Sequence, residues 1–304
     1  MTTGTELRTV DTADGRTLAA LVAGPADGRT LLFHTGTPSG LVEAGYLFDI
    51  AAANRFRCVL YSRPGYGSSS PRPGRLVADA AGDVAAVLDA VGAERFVTAG
   101  WSGGGPHALA TAALLGDRCV AAASIAGVAP YDAAGLDWFG GMAQENVTEF
   151  GAAVTSEDAL TALLASELTD RPDIAAADVA EALGGLVSAA DRAALTGWFA
   201  EYLADSMRAA LTTGIAGWRD DDLAFVRGWG FSLDQIAIPV AVWHGDQDAM
   251  VPFAHGEWLA GHIPGARAHL LPGEGHLTLV SARFDDVLRD LAEIADLADA
   301  EDPV

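Results

Sequence analysis

Val97-Thr98-Ala99-Gly100-Trp101-Ser102-Gly103-Gly104-Gly105 is a β-type run that passes through Gly-x-Ser-x-Gly into an Ala- and Leu-rich stretch with helical spacing. Glycines on either side of the serine permit a turn tight enough to lift Ser102 above a sheet, with its backbone N–H at the start of the following helix. The bare pattern is common, and a glycine-rich loop in which Ser102 only caps the helix has the same letters. The strand before it and the helix after it favour a nucleophile.

Outward from this turn, short β-type runs alternate with helical segments, the order that builds a mostly parallel sheet with helices on both faces. Eight strands are expected, at 6–11, 16–23, 29–34, 56–61, 95–100, 120–126, 238–243 and 266–271. Helices fit 44–54, 76–91, 103–116, 253–262 and 282–297. Asp14-Gly15 signals a hairpin, hence an antiparallel start to the sheet. From 131 to 237 the strand pattern vanishes, and Ala- and Leu-rich helices are broken by Gly184-Gly185, Gly197 and Gly214. Both ends of this insertion return to one sheet, so it is read as a helical cap (lid), with 1–130 and 238–304 forming the core. The last residues, Ala300-Glu-Asp-Pro-Val304, read as a disordered tail.

Half of the 304 residues are apolar, enough for a sizeable core without disulfides or metals. A formal charge of −23, with only 18 Lys and Arg spread thinly, argues against nucleic-acid partners and anionic membranes. The acids are expected on solvated helix faces. Cys58 and Cys119 each adjoin an apolar run and read as free core thiols, and no Cys/His spacing suits a metal. The N-terminus has no signal-peptide pattern and no run of eighteen apolar residues occurs, so a soluble cytoplasmic protein is expected. No Gly-x-Gly-x-x-Gly follows a strand, and no cofactor is expected. Oligomeric state is not legible.

A serine hydroxyl needs a base within hydrogen-bond reach to act as a nucleophile. After the seventh expected strand comes His244-Gly245-Asp246-Gln247-Asp248-Ala-Met-Val-Pro252, and after the eighth Pro272-Gly-Glu-Gly275-His276. With these, the chain resembles the α/β-hydrolase fold superfamily over nearly its whole length, in the group of esterases, C–C hydrolases, cofactor-free haloperoxidases and proline iminopeptidases. Ser…Asp…His is that fold's chain order. The resemblance implies Ser102 as nucleophile, His276 as base and Asp248 as the acid that orients it. Asp246 is the alternative acid, more often a turn residue.

An oxyanion hole needs two preorganised backbone N–H groups. Gly103, after the nucleophile, is expected to supply one. The loop Phe33-His34-Thr35-Gly36-Thr37-Pro38-Ser39-Gly40 resembles the family's His-Gly-x-Pro loop, which implies Thr37 as the other donor. Thr35 stands where His is usual, and His34 is expected to anchor the loop. Tyr61-Ser-Arg63-Pro-Gly65-Tyr-Gly67-Ser-Ser69 resembles a turn after the family's fourth strand and reads as architectural, with Arg63 tying loops together. Trp101, Thr35 and Pro38 are candidate pocket-lining residues.

The expected activity is cleavage of a small-molecule carboxylic ester through an acyl-enzyme. The runner-up is a proline iminopeptidase-like aminopeptidase, for which Glu145, Glu149, Glu201 and Asp205 are acids able to hold a substrate ammonium. A different class is a binding protein that keeps the pocket without using the serine.

Overall fold

The computed structural model describes residues 4–170 and 175–301. Its strands are β1 (Glu6–Asp11), β2 (Thr17–Ala23), β3 (Arg29–His34), β4 (Phe56–Tyr61), β5 (Phe96–Trp101), β6 (Cys119–Ile125), β7 (Val240–Gly245) and β8 (Arg267–Leu271). They form one sheet in the order β1-β2-β4-β3-β5-β6-β7-β8. The β1–β2 and β2–β4 pairings are antiparallel and the others parallel, and the strand limits lie within two residues of those expected.

The helices are α1 (Gly45–Ala53), α2 (Ala80–Val91), α3 (Gly104–Leu114), α4 (Gln144–Thr155), α5 (Glu157–Asp170) and α6 (Val179–Ala182). Then follow α7 (Ala189–Ala194), α8 (Gly197–Leu211), α9 (Ala216–Val226), α10 (Phe253–His262), α11 (Thr278–Ser281) and α12 (Phe284–Glu301). Period-two alternation sorts the strand residues onto two layers. Leu31 and Phe33, Cys58 and Leu60, and Val97 and Ala99 pack with Leu47 of α1 and Leu288 of α12. Their neighbours Leu32, Val59 and Phe96 face α2 through Val84 and Leu88, while Ala122 and Val242 meet Leu109 of α3 and Leu259 of α10. Burial on both faces is why the parallel strands read as continuous apolar runs. Cys58 and Cys119 are free and buried, and burial pushes both thiols up to about 12.

Between Ile125 and Val240 the described residues form α4 to α9 and no strand. Val187, Leu195, Phe199 and Leu203 of this segment join the same apolar cluster as the sheet residues Val97 and Trp101. Among the described residues no helix is long and apolar enough to cross a membrane.

Two expectations need correction. Ala300 and Glu301, read as tail, belong to α12, whose Val287, Leu288, Leu291, Ile294 and Ala295 recur at helical spacing and seat it on the core; Asp302–Val304 lie outside the described residues. The acids are not all on solvated faces either. Asp220, Asp221 and Asp222 of α9 and Asp191 of α7 are buried: Asp221 and Asp191 turn toward loops of the sheet, Asp222 lines the cavity, and Asp220 accepts from its neighbour Arg219.

Candidate active site

The turn between β5 and α3 is built by exclusion. Ser102 has φ +57°, a left-handed conformation that a non-glycine residue keeps only when its surroundings impose it. Its N–H donates to the Ile125 carbonyl at 2.8 Å. A Cβ on Gly100 would lie 2.0 Å from the Gly104 carbonyl oxygen, and one on Gly104 would lie 2.2 Å from that of His34. Glycine at both positions lets strand, serine and helix close on one another, which leaves Ser102 facing a cavity.

His276 and Asp248 stand on the loops after β8 and β7. His276 Nδ1 and Asp248 Oδ2 are 2.7 Å apart, both side chains buried. Asp248 Oδ1 accepts the Met250 and Val251 N–H groups at 2.9 and 2.8 Å, so the carboxylate acts as an acceptor on both sides. Nδ1 therefore carries the proton, and Nε2 is left as the basic nitrogen. Burial pulls the His276 imidazole down, but Asp248 and, more weakly, Asp191 outweigh it and raise its pKa. Trp101 Nε1 donates to the His276 carbonyl at 3.1 Å, joining the histidine loop to the residue before the serine. Asp246 sits in the turn, accepting the Gly273 N–H at 2.7 Å. His244 is buried, with Nε2 donating to the Val251 carbonyl at 2.8 Å.

The loop after β3 brings Thr37 against Gly103: a Cβ on Gly103 would meet Thr37 Oγ1 at 2.3 Å. Arg63 fixes this loop. Its guanidinium donates to the Thr35 and Gly36 carbonyls at 2.6 and 2.7 Å and to Thr37 Oγ1 at 2.9 Å. Asp221 closes the network, accepting from Arg63, Arg75, Tyr66 Oη and Thr37 Oγ1 within 3.2 Å. Burial favours the protonated acid, but the two guanidiniums prevail and hold the Asp221 carboxyl well below the usual carboxylate range. The turn before it fits because Gly65 (φ +89°) meets Gly217, one helical turn ahead of Asp221 on the same face. His34 points the other way, with Nε2 3.2 Å from Thr111 Oγ1, and His107 Nδ1 donates to the Gly103 carbonyl at 2.8 Å.

Two adjoining cavities, of about 150 and 90 Å³, share Thr37, Pro38 and Ser102. Gly103 lines the larger, and Trp101 and His276 line the smaller. Thr35 lines neither; it is buried, and its carbonyl accepts from Arg63. The inserted helices supply Leu183, Met207, Trp218 and Phe225 to the larger cavity, and also the acids Glu145, Glu149, Glu167 and Asp222. Burial and the neighbouring Glu149 push Asp222 well above the usual range. Glu201 and Asp205 are exposed, away from this wall.

The profile described as alpha/beta hydrolase fold matches residues 29–282. The chain belongs to the α/β-hydrolase fold family. Its expected standing as a hydrolytic enzyme agrees with that membership. A curated relative, the pimeloyl-[acyl-carrier protein] methyl ester esterase of Aromatoleum aromaticum, is 30% identical over 195 residues, 61% of this chain and 68% of that protein. The bromoperoxidase of Bacillus anthracis superposes with a TM-score of 0.71 at 21% identity, covering 95% of this chain and 100% of the other. An esterase from Rhodococcus sp. ECU1013 gives 0.61 at 24% identity, covering 96% and 99%. These two structures establish likeness of fold.

In this α/β hydrolase the sequence reading did not find Asp221, Arg75, Asp191 or His244. Arg219-Asp-Asp-Asp222 has the letters of a solvated helix face, and nothing local reveals that Asp221 turns onto two arginines far away in the chain.

Proposed function

We propose that the chain is a serine hydrolase of small carboxylic esters, acting through Ser102, His276 and Asp248. The observation that carries this is one wall of one cavity: Ser102, held left-handed at a strand–helix turn, shares it with a histidine whose other nitrogen is bonded to Asp248. Ser102 Oγ attacks the ester carbonyl while His276 Nε2 takes its proton. The tetrahedral oxyanion is met by the Gly103 and Thr37 backbone N–H groups. His276 then gives the proton to the departing alkoxide, and water, deprotonated by the same nitrogen, releases the acid. Asp248 keeps the tautomer and stabilises the imidazolium.

A cavity of about 150 Å³ is of the order that holds one benzene-sized group, which fits a small acyl portion. Residues 131–237 serve as a cap over it, and the two free thiols suit a reducing, cytoplasmic setting. The partner is a small molecule.

Intact-mass labelling with a fluorophosphonate tests the assignment without guessing a substrate. One adduct on the wild type, absent from Ser102→Ala and His276→Ala, is expected. A folded wild type that takes no adduct would overturn the hydrolase reading in favour of a non-catalytic binding protein. A second reading, an aminopeptidase of the proline iminopeptidase kind, is favoured by the carboxyl groups on the cavity wall. Relative turnover of simple esters and prolyl amides separates the two.

A further inference from the structure

Asp191 belongs to α7, in the inserted segment, yet its side chain is spent on the loop that carries His276. Oδ1 accepts the N–H groups of Leu277 at 2.7 Å and Thr278 at 3.2 Å, and Oδ2 accepts that of His276 itself at 3.1 Å. The Ser188 hydroxyl, at the N-cap of α7, donates to Oδ2 at 2.9 Å and in turn accepts the Asp191 N–H. The residue is fully buried, and among the described residues no arginine, lysine or histidine pairs with it. The glycine before His276 has its reason here, since a Cβ on Gly275 would stand 2.4 Å from Asp191 Oδ1.

We infer that Asp191 is a positioning residue for His276: by gripping successive peptide N–H groups it fixes where the imidazole stands, and its unneutralised charge helps hold the proton that His276 takes up. Three bonds from successive peptides to one carboxylate restrain both the position and the orientation of that stretch more than a single bond does. Catalysis loses about a hundredfold from an ångström of misplacement, so a loop fixed this way bears directly on rate. The charged and titratable groups around His276 are Asp248 on the loop after β7, His244 at the end of β7, and Asp191 on α7. The first and last of these raise its pKa against burial. Base and inserted helices are thereby joined: the histidine is in place only when α7 is seated. The inference rests on the hydrolase reading for its kinetic consequence, but the proton affinity of His276 is measurable without it.

The test follows the His276 imidazole by NMR titration and the fluorophosphonate labelling rate against pH, in the wild type and Asp191→Asn. Asparagine keeps one acceptor and turns an N–H₂ toward a peptide N–H, so grip and charge are both lost. Expected are a lower His276 titration midpoint, labelling slowed by about 10- to 100-fold, and an acid limb moved to lower pH. A folded Asp191→Asn with an unchanged midpoint and rate overturns the inference. If that variant does not fold, Ser188→Ala, which removes both the hydroxyl that donates to Asp191 Oδ2 and the cap on the Asp191 N–H but keeps the Asp191 carboxylate, decides it: labelling slowed several-fold supports the role, and an unaltered rate overturns it. A wild type that does not label would instead overturn the hydrolase reading, and the titration then judges Asp191 by itself.

Discussion

Asp221 and Asp191 are both buried carboxylates from the inserted helices, and each holds one half of the candidate site, but they are partnered in opposite ways. Asp221 faces two guanidiniums and holds the Thr37 loop; Asp191 faces peptide N–H groups and the Ser188 hydroxyl, all uncharged, and holds the His276 loop. A charge balanced by Arg63 and Arg75 projects little field and works as a fastener. A charge balanced only by dipoles is still felt by a histidine nearby. The Thr37 side is therefore built for rigidity, and the His276 side for rigidity together with proton affinity.

The largest effect is expected from Asp221→Ala, which leaves two buried arginines unpaired. Breaking one side of a buried ion pair costs about 3–5 kcal/mol, so urea unfolding should show a loss of that order. Loss of less than about 1 kcal/mol would mean that solvent or rearranged partners replace the carboxylate, and that Asp221 is no fastener. Asp191→Ala should destabilise less, by about 1–3 kcal/mol, since it strips acceptors from N–H groups and strands no opposite charge.

The pH dependence sharpens the contrast. Asp221 is shifted down, so the stability it adds is complete above the unfolded-state value of about 4 and disappears as pH falls through its lower folded value. The gap in stability between wild type and Asp221→Ala should accordingly stay flat from about pH 8 to pH 5. His276 is shifted up, so its contribution is complete below about pH 6.5 and disappears as pH rises through the folded value. Activity runs the other way over that window, because the base must be neutral: labelling should rise with pH around a midpoint above about 6.5. A midpoint below that would show burial winning over Asp248 and Asp191. Smallest of all is Asp246→Asn, in an exposed turn, expected to change stability by no more than about 0.5 kcal/mol and to leave labelling unchanged. A large loss of labelling there would transfer the acid's role away from Asp248.

The strands, the turn at Ser102, and the loops carrying Asp248 and His276 were legible because each is written in neighbouring residues: alternation, flanking glycines, a motif between two strands. Thr37 was legible for the same reason. Thr35 was misplaced because which residues of a loop face a cavity depends on the tertiary contacts of that loop, here with Arg63, which lies on another loop.

What the sequence determined by itself is thus the order of elements and the chemical identity of the groups brought together, since both are set by local periodicity and by turns that only glycine permits. The tertiary structure alone decided which acids leave the surface. Asp191, Asp221 and Asp222 have the same letters as the solvated acids that give this chain its charge, and differ from them only in what faces them. Burial of a carboxyl is set by partners distant in the chain, two arginines in one case, a row of peptide N–H groups in another and a second carboxyl in the third.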